Sequence, residues 1–359
     1  MIVYRYLTRL YLQIFIFSII ALLTIFIIVN MIENLDEFLD NNATTYVIAK
    51  YYLNFTPEVL RLVTPISVLV GILFSLGRLS TLNEITALKS GGFSLYQLIL
   101  PYIIFNIILS FGLLYFNGWI VPRANEKRFV IERKYLKKEI ETRSVYNFFF
   151  RDNPTRNVSF QFYDPDEFRG QNIFIEDFSS AMKPRIVKRT EAKSFRWDEK
   201  SRSWIIYDVI VRNLEDGPVR LETYDSLELK LRIEHRQLMS LQRKVEEMTF
   251  DELREYLDLL SKGGKDVRRQ LIKYYAGYAF PFSCLILVFF AVPFASIKRR
   301  GGIALQIASA MTFSFLYLFF TEIGQILVYT TTLHPAIGGW IANLVFLIFG
   351  LIILFKTRT

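Results

Sequence analysis

Six runs of apolar residues, each long enough to cross a lipid bilayer, constrain this chain more than any other feature of its sequence. They cover approximately residues 10–31, 58–77, 98–121, 273–296, 303–328 and 336–355. A helix rises about 1.5 Å per residue, so about 20 residues cross a hydrocarbon core about 30 Å thick. The first run is longer than the apolar part of a signal peptide, and no small-residue cleavage site follows it. We therefore predict an α-helical polytopic membrane protein with six transmembrane helices.

The basic residues of the short connections predict how these helices are oriented. With the N-terminus in the cytoplasm, the short outer connections carry only Lys50, whereas the cytoplasmic segments are rich in lysine and arginine. The cytoplasmic set is Arg5, Arg9, Arg78, Lys89, Lys298, Arg299, Arg300, Lys356 and Arg358. Both termini are thus expected in the cytoplasm, with residues 122–272 on the other side. This basic membrane face accounts for much of the net charge of +9, so nucleic acid is not an expected partner.

The segment between the third and fourth runs has the pattern of an all-β domain. From 144 to 233, short runs of β-branched and aromatic residues alternate with turn residues. No amphipathic helix separates these runs, which predicts an antiparallel sandwich or jelly roll. A flanking helix starts at a capping box of Thr249 with Glu252 and ends at Gly263. The predicted domains are 1–121 with three transmembrane helices, 122–272 with the jelly-roll-like domain and its flanking helices, and 273–359 with three more transmembrane helices.

No motif for catalysis or metal binding is present in the sequence. The string nearest to a P-loop, SKGGKD at 261–266, lacks the first glycine and the hydroxyl residue. G-x-S-x-G, H-E-x-x-H and C-x-x-C do not occur, the one cysteine, Cys284, lies in an apolar run, and His235 and His334 are far apart. We therefore expect no catalytic residue, no metal and no cofactor bound by this chain, which is not expected to be an enzyme.

Few ionisable residues lie inside the predicted spans, where a charge costs at least about 2.5 kcal/mol. The clearest is Glu322, which shares a helical face with Gln325. This pair is either part of a proton relay or a polar contact at a subunit or cavity wall. Glu58 and Arg61, at the start of the second span, are spaced to pair along one helical face.

Aromatic residues are frequent in the predicted strands and allow two interpretations. They are Phe148, Phe150, Phe160, Phe162, Phe174 and Phe195. Either they fill the core of the domain, or they line a cleft for acyl chains. A sandwich that is splayed open at one end would do both.

The connection between the second and third spans, LGRLSTLNEITALKSGGFS at 76–94, is mostly polar and helical in character. Its central acid is Glu84, and the orientation above places it in the cytoplasm. Glu84 is either a solvated acid on a surface helix or part of a contact with another protein.

Several strings, together with the order of the parts, resemble the LptF/LptG family, the paired permease subunits of the lipopolysaccharide exporter. They are MIVYRYLTRLYL at the start, TPISVLVGILFSLGRLSTLNEITALKSGGFS, WIVPRANEKR after the third span and FRWDEKSRSWII in the β-domain. The resemblance covers essentially the whole chain. The WDEKSRSW hairpin, the MTFDELREYLDLL helix and the region of Glu322 and Gln325 favour the LptG member.

The resemblance implies a transport subunit that lacks its own ATPase site. In this family the segment after the second span, here about 79–92, is a coupling helix that docks on a separate ATPase, where its acid faces a basic residue. The matching positions are Leu82, Asn83, Glu84, Ile85 and Leu88. The implied partners are a sister permease, a cytoplasmic LptB-type ATPase dimer that uses ATP and Mg²⁺, a periplasmic or bitopic LptC/LptA-type bridge, and lipopolysaccharide extracted from the outer leaflet of the bacterial inner membrane.

The chain departs from the family pattern at the residues that would contact the lipid phosphates. Family members can carry basic residues at the outer end of span one, whereas this chain has Glu33, Asp36, Glu37 and Asp40. The nearest replacements, just beyond span three, are Arg123, Lys127, Arg128 and Arg133. These side chains either contact the lipid head group or only keep their helix solvated.

Two other functions remain open from the sequence. One is a permease of another lipid-exporting ABC system, although such permeases with one large outer domain usually place it after span one rather than span three. The other is a non-transporting membrane scaffold or sensor whose β-domain binds a periplasmic ligand. A scaffold predicts no ATPase partner and tolerance of charge reversal at Glu84.

Overall fold

The computed structural model describes residues 2–136, 145–165, 167–180, 184–214, 220–235, 238, 243–262, 266–296 and 302–356. The chain forms two compact units, one of Met1–Lys138 with Arg268–Thr359 and one of Glu139–Val267. Three groups of residues named above lie outside the described part: the basic residues Lys298, Arg299 and Arg300, Arg358, and the predicted helix end at Gly263.

The first unit is helical and contains the six membrane spans that the sequence predicts. Its helices are α1 (Ile2–Asp40), α2 (Thr45–Thr81), α3 (Glu84–Ser90), α4 (Leu95–Tyr115), a π-helical turn (Phe116–Ile120) and α5 (Val121–Tyr135). The second half of the chain adds α7 (Arg268–Ala279), a 3₁₀ turn (Phe280–Phe282), α8 (Ser283–Ser296), α9 (Gly302–Thr330) and α10 (Pro335–Lys356) to this unit. Because α4, the π-helical turn and α5 are continuous, the third span is longer than its apolar run.

Close packing between α1 and α2 depends on a glycine. A Cβ atom at Gly71 would lie 2.8 Å from Cε2 of Tyr11, so only glycine allows the Tyr11 ring to lie against α2. The buried Tyr11 hydroxyl lies 3.1 Å from the Asn106 amide nitrogen of α4. The hydroxyls of Ser75, on α2, and Tyr102, on α4, form a hydrogen bond of 3.2 Å. These polar contacts satisfy buried groups and fix the three helices relative to one another.

The fourth span is broken where Pro281 interrupts its hydrogen bonding. A proline has no backbone N–H, so the carbonyl oxygen four residues earlier, on Gly277, has no partner within the helix. The side-chain amide of Asn117, in the π-helical turn, donates to that oxygen at 2.7 Å. The amide of Asn343, on α10, donates to the carbonyl oxygen of Ala279 at 2.7 Å. Asn117 therefore replaces the backbone partner that Gly277 lacks, and Asn343 adds a second contact to the broken span from α10.

The second unit contains one antiparallel sheet whose six strands follow in sequence order. The strands are β1 (Val145–Asn153), β2 (Arg156–Asp164), β3 (Arg169–Phe178), β4 (Ile186–Asp198), β5 (Ser203–Asn213) and β6 (Arg220–Leu229), followed by α6 (Phe250–Lys262). The prediction of an antiparallel all-β domain inserted between the membrane helices is confirmed. Among the described strands its topology is an up-and-down meander, which is simpler than the two sheets of a jelly roll.

A row of residues that runs across the strands, here called the transverse row, changes which side of each strand faces the core. In β2 to β5, two consecutive residues point away from the core, where strict alternation would turn one of them inward. The pairs are Gln161 with Phe162, Gln171 with Asn172, Lys193 with Ser194, and Tyr207 with Asp208. Asn147, Asn172 and Asp208, on alternate strands in this row, have positive φ of 47°, 52° and 52°. Asparagine and aspartate tolerate this left-handed conformation better than most residues, and here it shifts the phase of the strands.

The core of the β unit is aromatic. Trp204 is 1% exposed, lies against Phe195, Trp197 and Tyr163, and donates its indole N–H to the Ile233 carbonyl oxygen at 2.8 Å. The predicted capping box of α6 is also present: Glu252 accepts from the Thr249 backbone at 2.9 Å, and Thr249 Oγ1 accepts from the Glu252 backbone at 3.4 Å.

Candidate functional site

The connection between α2 and α4 is a short helix with well-defined ends. After α2 ends at Thr81, Asn83 takes a left-handed conformation with φ 61°, which starts α3 in a new direction. At the other end, Phe93 N–H donates to the Leu88 carbonyl at 3.0 Å and Gly92 N–H to the Lys89 carbonyl at 3.0 Å. This is the Schellman arrangement, and Gly92 supplies its left-handed position with φ +88°. Backbone hydrogen bonds therefore fix the C-terminal end of this helix, whose seven residues are too few for it to be stable on its own.

The next helix, α4, has a capped N-terminus. Ser94 and Gln97 form a complete capping box at the start of α4, with the Gln97 N–H 3.3 Å from Ser94 Oγ and the Ser94 N–H 3.0 Å from Gln97 Oε1. The predicted helix at about 79–92 is thus resolved into the last turn of α2, a two-residue turn, and α3.

The residues predicted to couple this segment to a partner divide into two groups. Ile85 is 3% exposed and belongs to the main helical core, and Leu88 packs against that core. Leu82 is 57% exposed, Asn83 is exposed and Glu84 is half-buried. Ile85 and Leu88 therefore anchor α3, while Leu82, Asn83 and Glu84 are placed for contact with another molecule.

Glu84 also has a partner in α1, which sequence reasoning did not find. The Tyr6 hydroxyl donates to Glu84 Oε2 at 3.2 Å. Near the other end of the segment, the rings of Tyr4 and Phe93 meet edge to face with centroids 6.1 Å apart. The N-terminal turns of α1 therefore contact both ends of the α3 segment.

The four predicted basic residues beyond the third span lie on α5 in different environments. Arg123 and Lys127 are exposed. Arg128 lies 3.6 Å from Glu132 Oε2 and stacks over the Phe129 ring at 4.3 Å, while Arg133 is half-buried and has a contact within the chain. Arg123 and Lys127 are the two most accessible to an anionic ligand.

A polar cluster surrounds the predicted pair of Glu58 and Arg61. The two side chains form an ion pair, as their spacing predicts. Glu58 also accepts from the Asn125 amide at 3.0 Å, and Arg61 lies 3.4 Å from Oδ1 of Asn117, the residue that binds the broken fourth span. The asparagines were missed because only ionisable residues were considered, although each stands out as an amide near an apolar run.

Glu322 and Gln325 lie on α9, where Glu322 is exposed on the surface of the single chain and Gln325 is half-buried. Gly324 between them lies so close to α10 that an added Cβ would be 1.9 Å from Ile341 Cγ2. The acids at the end of α1, Glu33, Asp36, Glu37 and Asp40, are all exposed.

The predicted aromatic residues of the sheet occupy both of its faces. Phe148, Phe150 and Phe160 are 3–4% exposed and belong to the core, as does Phe195. Phe162 and Phe174 are half-buried and point the other way, with Phe162 against Tyr146 and Phe174 under Arg189. Phe162 lines a groove of 380 Å³ beside the transverse row, with Gln171, Ser194 and Tyr207.

One buried titratable group holds the segment after β6 against the core. The His235 Nδ1 and the Tyr163 hydroxyl are 2.6 Å apart, and the Phe168 ring lies 4.4 Å from the imidazole. Burial lowers the pKa of His235, while nearby Glu199 acts in the opposite direction. Within the described residues, no group of three or more His, Cys, Asp or Glu side chains is placed to hold a metal ion.

Comparison with known proteins places these features in a family. The family described as lipopolysaccharide export system permease LptF/LptG matches residues 5–356. No curated protein sequence matches the chain significantly. The match spans both units, including α3 and the whole sheet.

Proposed function

The chain belongs to the LptF/LptG family of lipopolysaccharide export system permeases, and we propose that it is one of the two permease subunits of an ABC exporter. In this proposal it extracts lipopolysaccharide from the outer leaflet of the inner membrane and passes it to a periplasmic β-jelly-roll bridge of the LptC/LptA type. The family does not distinguish LptF from LptG, so assignment to the LptG member remains a prediction.

The observation that carries the proposal is the way α3 is built. The C-terminal end of this seven-residue helix is fixed by a Schellman motif, and the capping box of α4 follows directly after it, so the segment has one defined shape. Its buried Ile85 transmits such a push into the helical core, and its exposed Leu82 and half-buried Glu84 can contact a partner. An acid at this position suits a basic groove on an ATPase, because charge-assisted hydrogen bonds fix orientation.

The energy for transport comes from that partner in this proposal. The sequence has no P-loop, so ATP and Mg²⁺ are bound by a separate LptB-type dimer on the cytoplasmic side. The excess of basic residues in the α2–α4 connection and near the N-terminus supports placing α3 in the cytoplasm. Rigid-body movement of the first three spans would then follow closure of the ATPase dimer.

The exposed faces of two spans support pairing with a sister permease. Within the chain, 11% of the first apolar segment and 17% of the fifth is buried, against 67% of the second. Glu322 is exposed on that fifth span, where contact with lipid tails would be costly. A second subunit, or a cavity between two subunits, would give Glu322 and Gln325 a polar environment.

The lipid path is proposed from charge and burial. Of the four predicted basic residues, Arg123 and Lys127 are the most accessible to head-group phosphates, with Arg128 and Arg133 beside them. Acyl chains would run along the apolar face of the sheet that carries Phe148, Phe150 and Phe160. Because these side chains are buried, that path requires the face to open.

The test is native mass spectrometry of the tagged chain, gently extracted from its own membrane. We expect a sister permease, two copies of a soluble ATPase and a multiply acylated glycolipid. Glu84→Lys should lose the ATPase while the chain still inserts, and Asp36→Lys, which reverses an exposed charge at the far end of α1, should retain it. Recovery of the wild-type chain without an ATPase would favour a non-transporting scaffold or sensor, and an ATPase with another lipid class would favour another lipid exporter.

A further inference from the structure

The N-terminal turns of α1 lie against the α3 segment at two points. Tyr6 Oη donates to Glu84 Oε2 at 3.2 Å, at the start of α3. The Tyr4 ring meets the Phe93 ring edge to face, just after α3 ends. Three apolar side chains of these two segments are solvent-exposed: Ile2 at 87%, Tyr6 at 46% and Leu82 at 57%. The N-terminal turns of α1, which are far from α3 in the sequence, therefore lie beside the helix that carries Glu84.

The hydrogen bond determines which part of the carboxylate is available. A carboxylate has two oxygens that accept hydrogen bonds, and the Tyr6 hydroxyl occupies a site on Oε2. The other oxygen, Oε1, is left for a cation. A glutamate side chain on so short a helix has several accessible rotamers, and a fixed donor reduces their number before any partner binds.

We infer that the first two turns of α1 are part of the surface that docks the ATPase, and that Tyr6 positions the Glu84 carboxylate for a basic residue of that partner. The inference rests on the proposed function. The surface consists of Ile2 and Tyr6 from α1 with Leu82, Asn83 and Glu84 from the α2–α4 connection. An apolar rim around one oriented carboxylate suits a partner groove that is apolar with a single cation at its centre.

The arrangement has a mechanical consequence for the first span. The second span is joined to α3 through the chain, so it moves with α3 in any case. The first span is joined to α3 through Tyr6 and Tyr4 as well, so a displacement of α3 acts directly on the N-terminal end of α1. Removal of the Tyr6 hydroxyl would therefore weaken both docking and the coupling of span one.

The experiment is a double-mutant cycle on the full chain in its complex, with Tyr6→Phe, Glu84→Ala and both together. The measured quantities are the dissociation constant of the ATPase and the lipid released per ATP hydrolysed. We expect Tyr6→Phe to weaken ATPase binding by about two- to tenfold, the effect of losing one hydrogen bond. In the Glu84→Ala background the same change should have little further effect, because the two residues act through one contact.

Tyr96→Phe is the matched control. Tyr96 lies in the first turn of α4, is 47% exposed and makes no hydrogen bond through its side chain to any described residue. It should behave as wild type, and the melting temperature of all variants except those at Glu84 should be unchanged, since phenylalanine keeps the ring.

The outcomes separate the inference from the proposed function. If the wild-type chain binds no ATPase, the proposed function fails. If Glu84→Ala releases the ATPase but Tyr6→Phe binds and transports like Tyr96→Phe, the proposed function stands and the inference is overturned. Tighter binding by Tyr6→Phe would also overturn it, because Tyr6 would then compete with the partner for Glu84.

Discussion

The side-chain amide of Asn117 donates to the carbonyl oxygen of Gly277 at 2.7 Å, which is the oxygen left without a helical partner by Pro281. The contact joins the π-helical turn of the third span to the break in the fourth. Asn343, from the sixth span, donates to the carbonyl oxygen of Ala279, two residues further along the fourth span. Three spans thus meet at one irregular point, and their amides make that irregularity stable.

Asn117→Leu should destabilise the helical unit by about 1–3 kcal/mol, because it leaves a buried carbonyl oxygen without a hydrogen bond. Thermal unfolding of the purified chain in detergent measures the effect. Pro281→Ala restores a backbone N–H within reach of the Gly277 oxygen, so the double variant should recover part of the loss. Asn54→Ala is the control with little expected change, because among the described residues the Asn54 amide donates only to the Lys50 carbonyl of its own helix. Equal losses at both asparagines would contradict this account.

Asn172→Val should destabilise strand β3 by about 1–2 kcal/mol, because a β-branched residue is strained at a positive φ. Asn172→Gly should be tolerated. The control is Lys193→Val, an exposed residue in the same transverse row on β4, whose φ is ordinary. Hydrogen exchange resolved to β3 and β4 reports the local opening free energy. The assignment of strain to this row is wrong if Lys193→Val opens the sheet as much as Asn172→Val.

Gly92→Ala should loosen α3 by about 1–2 kcal/mol, since alanine resists the left-handed conformation at φ +88°. Nothing lies within 4 Å of the added methyl group, so the cost is conformational and not steric. Gly91→Ala, at φ −83°, serves as the control and should retain the ATPase. Retention of the ATPase on native mass spectrometry of Gly92→Ala, at the wild-type level, would show that the fixed end of α3 is unimportant for docking.

The β unit should lose stability as the pH falls below about 6.5. Burial lowers the pKa of His235 in the folded chain, so the unfolded chain binds more protons in the window between the two pKa values. The stabilisation is complete above the ordinary histidine pKa of 6.5 and declines as the pH falls toward the folded value. His235→Gln should flatten this dependence. Hydrogen exchange of β4 and β5 between pH 5 and pH 8 is the measurement, and an unchanged slope in the variant would exclude His235 as its source.

Much of the fold follows from local patterns in the sequence. The six spans come from length and hydropathy, and the six strands from runs such as VSFQFYD and SWIIYDVIVRN, whose bounds agree with β2 and β5 to within about two residues. The ion pair of Glu58 with Arg61 and the capping box of Thr249 with Glu252 were also predicted from spacing alone. Each of these depends on residues close together in the chain.

The parts that could not be predicted depend on residues far apart. Phe160 and Phe162 are two apart and should share a face, yet Phe160 is in the core and Phe162 is not, because the transverse row lies between them. The contacts of Tyr6 with Glu84 and of Asn117 with Gly277 span 78 and 160 residues. Hydrophobic periodicity cannot predict contacts between residues so far apart, because the partners meet only when the helices have assembled.

The transverse row also constrains how this sheet can change during evolution. Deleting Asn172 alone would restore simple alternation in β3, but Gln161 of β2 and Lys193 of β4, which lie opposite it, would lose their pairing position in the sheet. A single strand therefore cannot gain or lose its extra outward residue by itself. Each of the strands β2 to β5 has its own extra residue at the same position across the sheet. A one-residue deletion that is neutral in an ordinary strand would therefore require matching deletions in the neighbouring strands here.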